Sequence, residues 1–206
     1  KLENGALYMD FIDPHDIYDK VIVIDAGHGS RMSGATKNGI QEKDINLDIV
    51  LQLKALFDAY DGNIGVYYTR TDDSNPTLQQ RAELANKAGA DLFISVHNNS
   101  SGTGNFTSVN GTQVLYSESD DRELGSKKLA QICLDNVTAA TGSNDFGLLK
   151  ADDIYIVRSS EAPVALIEVG FMTNRDELAK LADPEYQRTA AQGIFNAVLE
   201  AVKEGY

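Results

Sequence analysis

The chain has 206 residues, 42% apolar and 24% charged, which suits one globular domain with an ample core. Its formal charge of −13 argues against nucleic acid, whose phosphates are held mainly by Lys and Arg, and against docking on an anionic membrane surface. No apolar run approaches the roughly 20 residues that span a bilayer, and a single cysteine, Cys133, excludes an internal disulfide.

Residues 1–19 show no clear period and read as an extension or linker ahead of a domain over 20–206. The chain opens on Lys1, as a processed form or an excised domain would, so the lack of a signal peptide carries little weight. Val21–Asp25 is an apolar run of strand type, broken by Gly27-His28-Gly29. Residues 27–41 form a Gly-rich loop. From Glu42 to Tyr60, Ile45, Ile49, Val50, Leu53, Leu56, Phe57 and Tyr60 make one helical stripe, ended by Asp61-Gly62-Asn63. Ile64–Arg70 is a second strand and Thr77–Ala88 a helix closed by Gly89. Asp91–Val96 and Thr112–Ser117 are strands, separated by a polar loop. Arg122–Thr141 is a long helix stopped by Gly142, with Cys133 on its apolar stripe as a small buried hydrophobe. Ile154–Arg158 and Val164–Glu168 read as two short strands, and Arg175–Leu181 and Pro184–Glu204 as helices. This alternation predicts an α/β fold: a single-domain three-layer sandwich, with a twisted mixed sheet of about six strands and helices on both faces.

Three of these strands end on side chains that bind metals or move protons: His28, His97 and Glu168. The carboxyl ends of strands are where α/β proteins place their chemistry. A catalytic zinc usually has three protein ligands and one open position. Glu42 supplies a third ligand by position, because its helix starts at the same sheet edge and it lies above Ile45 and Ile49. Its bland role would be to complement the helix dipole. Glu168 emerges from an apolar strand and needs either a partner or a raised pKa. It suits a general base at a metal site, the alternative being a structural carboxylate paired with a buried Arg. Asp25 is expected either to orient an imidazole or to tie down backbone amides, and Asn46 to brace the site from one turn after Glu42. His15, in Asp13-Pro14-His15-Asp16, reads as an exposed loop residue. These residues alone point to a metallohydrolase, without a short zinc motif such as His-Glu-x-x-His.

Five segments make the sequence recognisable. They are Val23-Ile24-Asp25-Ala26-Gly27-His28-Gly29; Glu42-Lys43-Asp44-Ile45-Asn46-Leu47; Thr69-Arg70-Thr71-Asp72 with Leu78-Gln79-Gln80-Arg81 and Ala85-Asn86; Asp91 to Asn99; and Ala165 to Asn174. Over residues 20–203 the chain resembles the zinc-dependent N-acetylmuramoyl-L-alanine amidases of bacterial cell walls. The resemblance implies one zinc ion per chain on His28, Glu42 and His97, with Glu168 as catalytic acid–base. The implied reaction is hydrolysis of the amide between the lactyl group of N-acetylmuramic acid and L-alanine of the stem peptide. It also implies peptidoglycan as partner, an extracytoplasmic location, wall-binding modules outside this chain and a monomeric enzyme. Asn98 and Asn99, directly after the second histidine, are expected to meet substrate. Two departures stand out. The family often has Asn-Arg-Gly before the late strand, where this chain has Asn144-Asp145-Phe146-Gly147-Leu148-Leu149-Lys150, which is expected to alter a substrate loop. Some members carry a plugging helix after the second histidine. The polar, Gly-rich stretch after His97 cannot build one, so an open site is expected. A non-catalytic binding module and a stem-peptide metallopeptidase are the alternatives. The acidic balance suggests a preference for stem peptides with a free amine.

Overall fold

The computed structural model describes residues 2–3, 6–7, 12–102 and 104–206. Six strands form one sheet: β1 (Lys20–Ala26), β2 (Ile64–Tyr68), β3 (Leu92–Asn99), β4 (Thr112–Tyr116), β5 (Asp145–Lys150) and β6 (Val164–Phe171). Their spatial order is β2-β1-β3-β6-β4-β5. The first four neighbours run parallel, β4 is antiparallel to β6, and β5 is parallel to β4. The helices are α1 (Glu42–Asp58), α2 (Leu78–Lys87), α3 (Ser126–Thr141), α4 (Tyr155–Arg158), α5 (Arg175–Leu181) and α6 (Pro184–Glu204). The predicted α/β sandwich with helices on both faces is what is observed. Most of the 1–19 segment lies outside the described residues. Its described parts are a two-residue ladder, Leu2–Glu3 with Ala6–Leu7, and a single 3-10 turn at Pro14–Asp16.

Strand side chains alternate between two cores. Ile22, Ile24, Leu92, Ile94, Ala165 and Ile167 face α1, α3 and α6. Val21, Val23, Phe93, Val164 and Leu166 face the smaller layer of α2 and α4. Both faces are covered, so the central strands read as unbroken apolar runs. Cys133 is fully buried in the larger core, as expected. This alternation also decides which way the strand-end polar residues point. By parity Asp25, Ser95, His97 and Glu168 turn to the α2/α4 side, and Asn98 turns to α1.

Three elements differ from the sequence reading. Ile154–Arg158 is no strand; Tyr155–Arg158 is one helical turn, with Arg158 N–H donating to Ile154 O at 3.1 Å and Ser159 N–H to Tyr155 O at 3.0 Å. Ile156 and Val157 are β-branched, but both are buried by the turn, and this packing overrides propensity. The sixth strand is instead Asp145–Lys150, within the segment that departs from the family pattern. It is an edge strand, largely exposed, with Gly147 at φ 90° and a register shift against β4, so no apolar alternation marks it. The third helix starts at Ser126 rather than Arg122. Asp120 binds both the Arg122 guanidinium and the Ser126 N–H, at 2.6 and 2.8 Å, and this holds the intervening residues in a turn.

Candidate active site

The site is assembled where β1, β3 and β6 end. At the close of β1 the chain turns sharply, and His28 adopts φ 62°, a left-handed conformation that costs energy for any residue but glycine. The surroundings enforce it. Arg81 donates to the carbonyl of His28 at 2.7 Å, and Ser30 N–H donates to Asp73 O at 2.8 Å. The flanking glycines are needed because the ligands crowd them. A Cβ on Gly27 would lie 2.2 Å from the His97 ring, and one on Gly34 would lie 2.3 Å from Glu42 Oε2.

The loop returns through a small hairpin, Thr36–Lys37 against Ile40–Gln41, whose Asn38 and Gly39 both have positive φ, as a tight two-residue turn requires. Glu42 then opens α1 and is only 4% exposed. It belongs to the buried stripe that continues through Ile45, Asn46, Ile49 and Val50, which is why its carboxylate turns to the sheet. Glu42 Oε1 is 3.1 Å from His28 Nε2 and 2.9 Å from His97 Nδ1. The three donor atoms lie within 4.8 Å of one another. Ligands on a tetrahedron with bonds of about 2.0–2.1 Å stand about 3.3 Å apart, so the spacing suits one small cation.

Backbone and amide groups fix the carboxylate in place. Ala35 N–H donates to Oε2 at 2.8 Å, and Asn98 N–H and Asn46 Nδ2 donate to Oε1 at 3.2 and 3.3 Å. Burial alone would raise the pKa of Glu42, but the hydrogen bonds from His28 and His97 outweigh it and hold the group ionised far below the usual range. Burial of His97 opposes its charge, yet the hydrogen bond and charge of Glu42 raise its pKa.

Glu168 stands beside His97 in the parallel β3–β6 ladder, so the two side chains share a face. Its Oε2 is sealed from solvent and has no hydrogen-bond partner among the described residues. Burial pushes its pKa up to about 7, with Glu42 adding to the rise and His97 opposing it. The buried arginine that would have made it a structural carboxylate pairs elsewhere. Arg81 contacts Asp25 Oδ1 at 2.5 Å, and Ser95 and Thr69 hydroxyls donate to the same carboxylate at 2.6 Å each. Burial opposes ionisation of Asp25, but Arg81 and these hydroxyls hold its pKa below the ordinary carboxylate value.

Among the described residues Asp25 has no hydrogen bond to an imidazole or a backbone amide; its partners are Arg81, Ser95 and Thr69. It anchors Arg81, which in turn donates to the carbonyls of Ala26 and His28. Arg70 does related work with carbonyls alone, donating to Ala26, Gly27 and Lys43 at 2.8, 2.9 and 2.8 Å. Neither arginine received a role from the sequence, although both lie in the recognised segments. Asn46 does brace Glu42. Asn98 is 2% exposed and donates to Asn46 Oδ1 at 2.8 Å, because strand parity turns it toward α1 and away from an open rim. Asn99 is half-buried and donates to Gln113 at 3.2 Å. His15 is exposed, as expected, and meets Asp91 at 3.0 Å at the opposite end of the sheet.

A cleft of about 320 Å³ opens beside the ligands on the α2/α4 side, with exposed Met32 and Leu78 on its rim and Pro76 and Ile156 in its wall. A larger depression of about 530 Å³ lies at the other edge of the sheet, near Tyr116 and the start of α3, where no such donor group converges among the described residues. The segment between Asn99 and Thr112 contains no helix among the described residues.

Two outcomes follow from these charges. Arg81→Met strips Asp25 of its cation and should destabilise the fold by about 3–5 kcal/mol, the cost of an uncompensated buried charge. Urea denaturation reads this, and a loss under about 1 kcal/mol would show that the pair does not hold the loop. Glu168, with its pKa raised from 4.5 to about 7, contributes stability that is full below 4.5 and is lost as pH rises to about 7. Metal-free protein should thus lose on the order of 1–3 kcal/mol between pH 5 and 8 that metal-free Glu168→Gln retains. Parallel thermal melts of the two proteins at both pH values test this.

Comparison with known proteins places this arrangement in a family. Residues 22–200 match the family model described as N-acetylmuramoyl-L-alanine amidase. The chain is 36% identical to the Bacillus subtilis protein YqiI over 182 residues, covering 88% of this chain and 84% of that one. It is 34% identical to the N-acetylmuramoyl-L-alanine amidase LytC of the same organism, covering 89% of this chain but only 36% of LytC. Among solved structures, the catalytic domain of CwlV, an N-acetylmuramoyl-L-alanine amidase from Bacillus (Paenibacillus) polymyxa var. colistinus, superposes with a TM-score of 0.81 at 34% identity. That match covers 89% of this chain and 98% of the CwlV domain. With a family match over nearly its whole length and the same α/β architecture, this chain belongs to the N-acetylmuramoyl-L-alanine amidase family.

Proposed function

We propose that this chain is a zinc-dependent peptidoglycan amidase that cleaves between the lactyl group of N-acetylmuramic acid and L-alanine of the stem peptide. The observation that carries the reading is the pairing of an N, O, N donor group with Glu168 on the adjacent strand, a half-buried carboxylate whose Oε2 is sealed and has no hydrogen-bond partner among the described residues. The donor set fits zinc: two imidazoles and one carboxylate match a catalytic site, and Gly27 and Gly34 leave the space that the ligands need. His28, Glu42 and His97 would hold the zinc ion, which would supply Lewis acidity for the amide carbonyl and the attacking water.

The protein's own residues do the rest. Glu168 takes a proton from the water that adds to the carbonyl carbon, then delivers it to the departing nitrogen of L-alanine as the C–N bond breaks. The lactyl carboxylate and a free amine result. A pKa near 7 lets one carboxyl serve first as base and then as acid. The Asn46–Asn98 pair and the Ala35 amide keep Glu42 oriented, while Arg81 and Arg70 hold the loop that presents His28.

In this reading the catalytic domain is 20–206, and it acts outside the cytoplasm as a monomer. Wall-binding modules lie beyond this chain, in keeping with the 36% of LytC that it spans. No helix among the described residues is long and apolar enough to cross a membrane.

Glu168→Gln should retain zinc while losing about 10²–10⁴-fold in turnover, the usual cost of removing a general base. His97→Ala should lose zinc as well, as read by elemental analysis after dialysis. The unmodified chain should release intact stem peptides from purified peptidoglycan with no activator, identified by mass. Cut peptides would instead indicate a peptidase, and binding without release a recognition module.

A further inference from the structure

Lys37 and Arg175 converge on one aromatic ring above the strand ends. Lys37 Nζ is 4.5 Å from the Phe106 ring centroid and donates to the carbonyl of Gly104; the Arg175 guanidinium is 4.0 Å from the same centroid. Each comes from a different segment that leaves the site. Lys37 sits on the hairpin just before Glu42, Phe106 on the loop after His97, and Arg175 at the start of α5, after the strand that carries Glu168. That loop is tied to the α5 side by Thr107 N–H donating to Thr173 O at 2.8 Å and by Ser101 N–H donating to Thr173 Oγ1 at 2.9 Å. The arrangement is therefore built on the same frame as the ligands.

Among the described residues neither cation has a carboxylate within ion-pair distance, although the chain carries thirteen more negative than positive charges. No charged residue occurs between His97 and Thr112 to offset them. A cation over an exposed ring gains about 0.5–1 kcal/mol, which does not exceed the rotamer entropy of ordering a Lys or an Arg. The ring holds each charge within 4.5 Å of its centroid without neutralising either. Beside Arg175 and Phe106 is an open depression of about 530 Å³, lined also by Ser108, Asn110, Asn174 and Asp176; Lys37 stands outside its lining, on the Phe106 ring. Because Asp176 lines it, an anion held there needs a second cation beside Arg175, and Lys37 stands on the same Phe106 ring.

We propose that Lys37 and Arg175 form a carboxylate-binding site, which takes a free carboxylate of the stem peptide and so sets specificity for its amidation state. This rests on the amidase reading above. A stem peptide offers two such groups near its scissile end: the α-carboxylate of the second-position glutamate, and the distal carboxylate of a third residue that is a diamino dicarboxylic acid. Either can be amidated without altering the bond that is cleaved. The proposal reverses the preference drawn from net charge, because the charge near the site is locally positive.

The test pairs substrate and enzyme changes. Three muramyl peptides are compared: both carboxylates free, the glutamate α-carboxylate amidated, and the distal carboxylate amidated. Each is given to the zinc-loaded wild type, Lys37→Gln, Arg175→Gln and Arg175→Lys, and kcat and KM are read separately. Amidating one of the two groups should raise the wild-type KM about two- to fivefold, the range for a partly exposed ion pair, with kcat little changed. Each Gln variant should raise KM on the free acid by a similar factor and be indifferent to that amidation; Arg175→Lys should restore much of the preference. The sensitive position identifies the bound group. If the wild type ignores both amidations, or the variants raise KM equally on free and amidated substrates, the cations only order the loop and the proposal falls. If the wild type cleaves none of the peptides, the amidase reading fails first. The same comparison is then made by calorimetric Kd of the released peptides, where equal affinities for free and amidated forms overturn the carboxylate site.

Discussion

The structure depends on one buried ion pair. Asp25 and Arg81 are 0% and 2% exposed, and removing two charges from water is expensive even when they meet. A hydrophobic pair of similar volume would stabilise the core at least as well. The ion pair does what an apolar pair cannot: Arg81 gives its remaining donors to the carbonyls of Ala26, His28 and Pro76 and to Asn75, holding a left-handed histidine against its own preference. Arg70 extends the same device to Gly27 and to Lys43, the residue after Glu42. Two guanidiniums with fixed donor geometry thereby couple the loop of one ligand to the helix of another.

The contrast between the two carboxylates on the α2/α4 side of the sheet follows from where those donors go. Asp25 is saturated by a cation and two hydroxyls and stays ionised. Glu168, two strands away, has the Oε2 that nothing answers, and its pKa rises accordingly. Environments that push like groups apart divide labour between structure and proton transfer. A further cation reaching Glu168 would leave the donor group in place and hold this carboxylate ionised, removing the base of the proposed mechanism.

Much of this was legible in the sequence, and the limits have physical causes. The central strands are buried on both faces, so their apolar runs are unmistakable, and each ends on its functional residue. Glu42 was placed by helical phase with Ile45 and Ile49. The edge strand Asp145–Lys150 was not legible because it buries almost nothing, and Ile154–Arg158 misled because β-branched residues pack as well into one helical turn. Asn98 was put at the substrate by adjacency to His97, whereas period-two alternation in β3 sends adjacent side chains to opposite faces. The Asn38-Gly39 dipeptide marks the hairpin within what read as a Gly-rich loop. The roles of Arg70 and Arg81 carry no local signal, since their targets are backbone carbonyls of distant residues.

Charge shows the same division between global and local. A net of −13 describes the whole surface and bears on solubility. In the proposed reading substrate meets a few side chains at the strand ends, where Lys37 and Arg175 are held by Phe106 and the loop after His97 contributes no charge. The ligand cage is fixed from below by buried groups on β1, β3 and α1, while these cations come from loops above it. Loop residues of this kind can change without disturbing the cage, because none of the hydrogen bonds that position His28, Glu42 or His97 passes through them. In the proposed reading the fold thus separates the residues that hold zinc and move protons from those that choose among stem peptides.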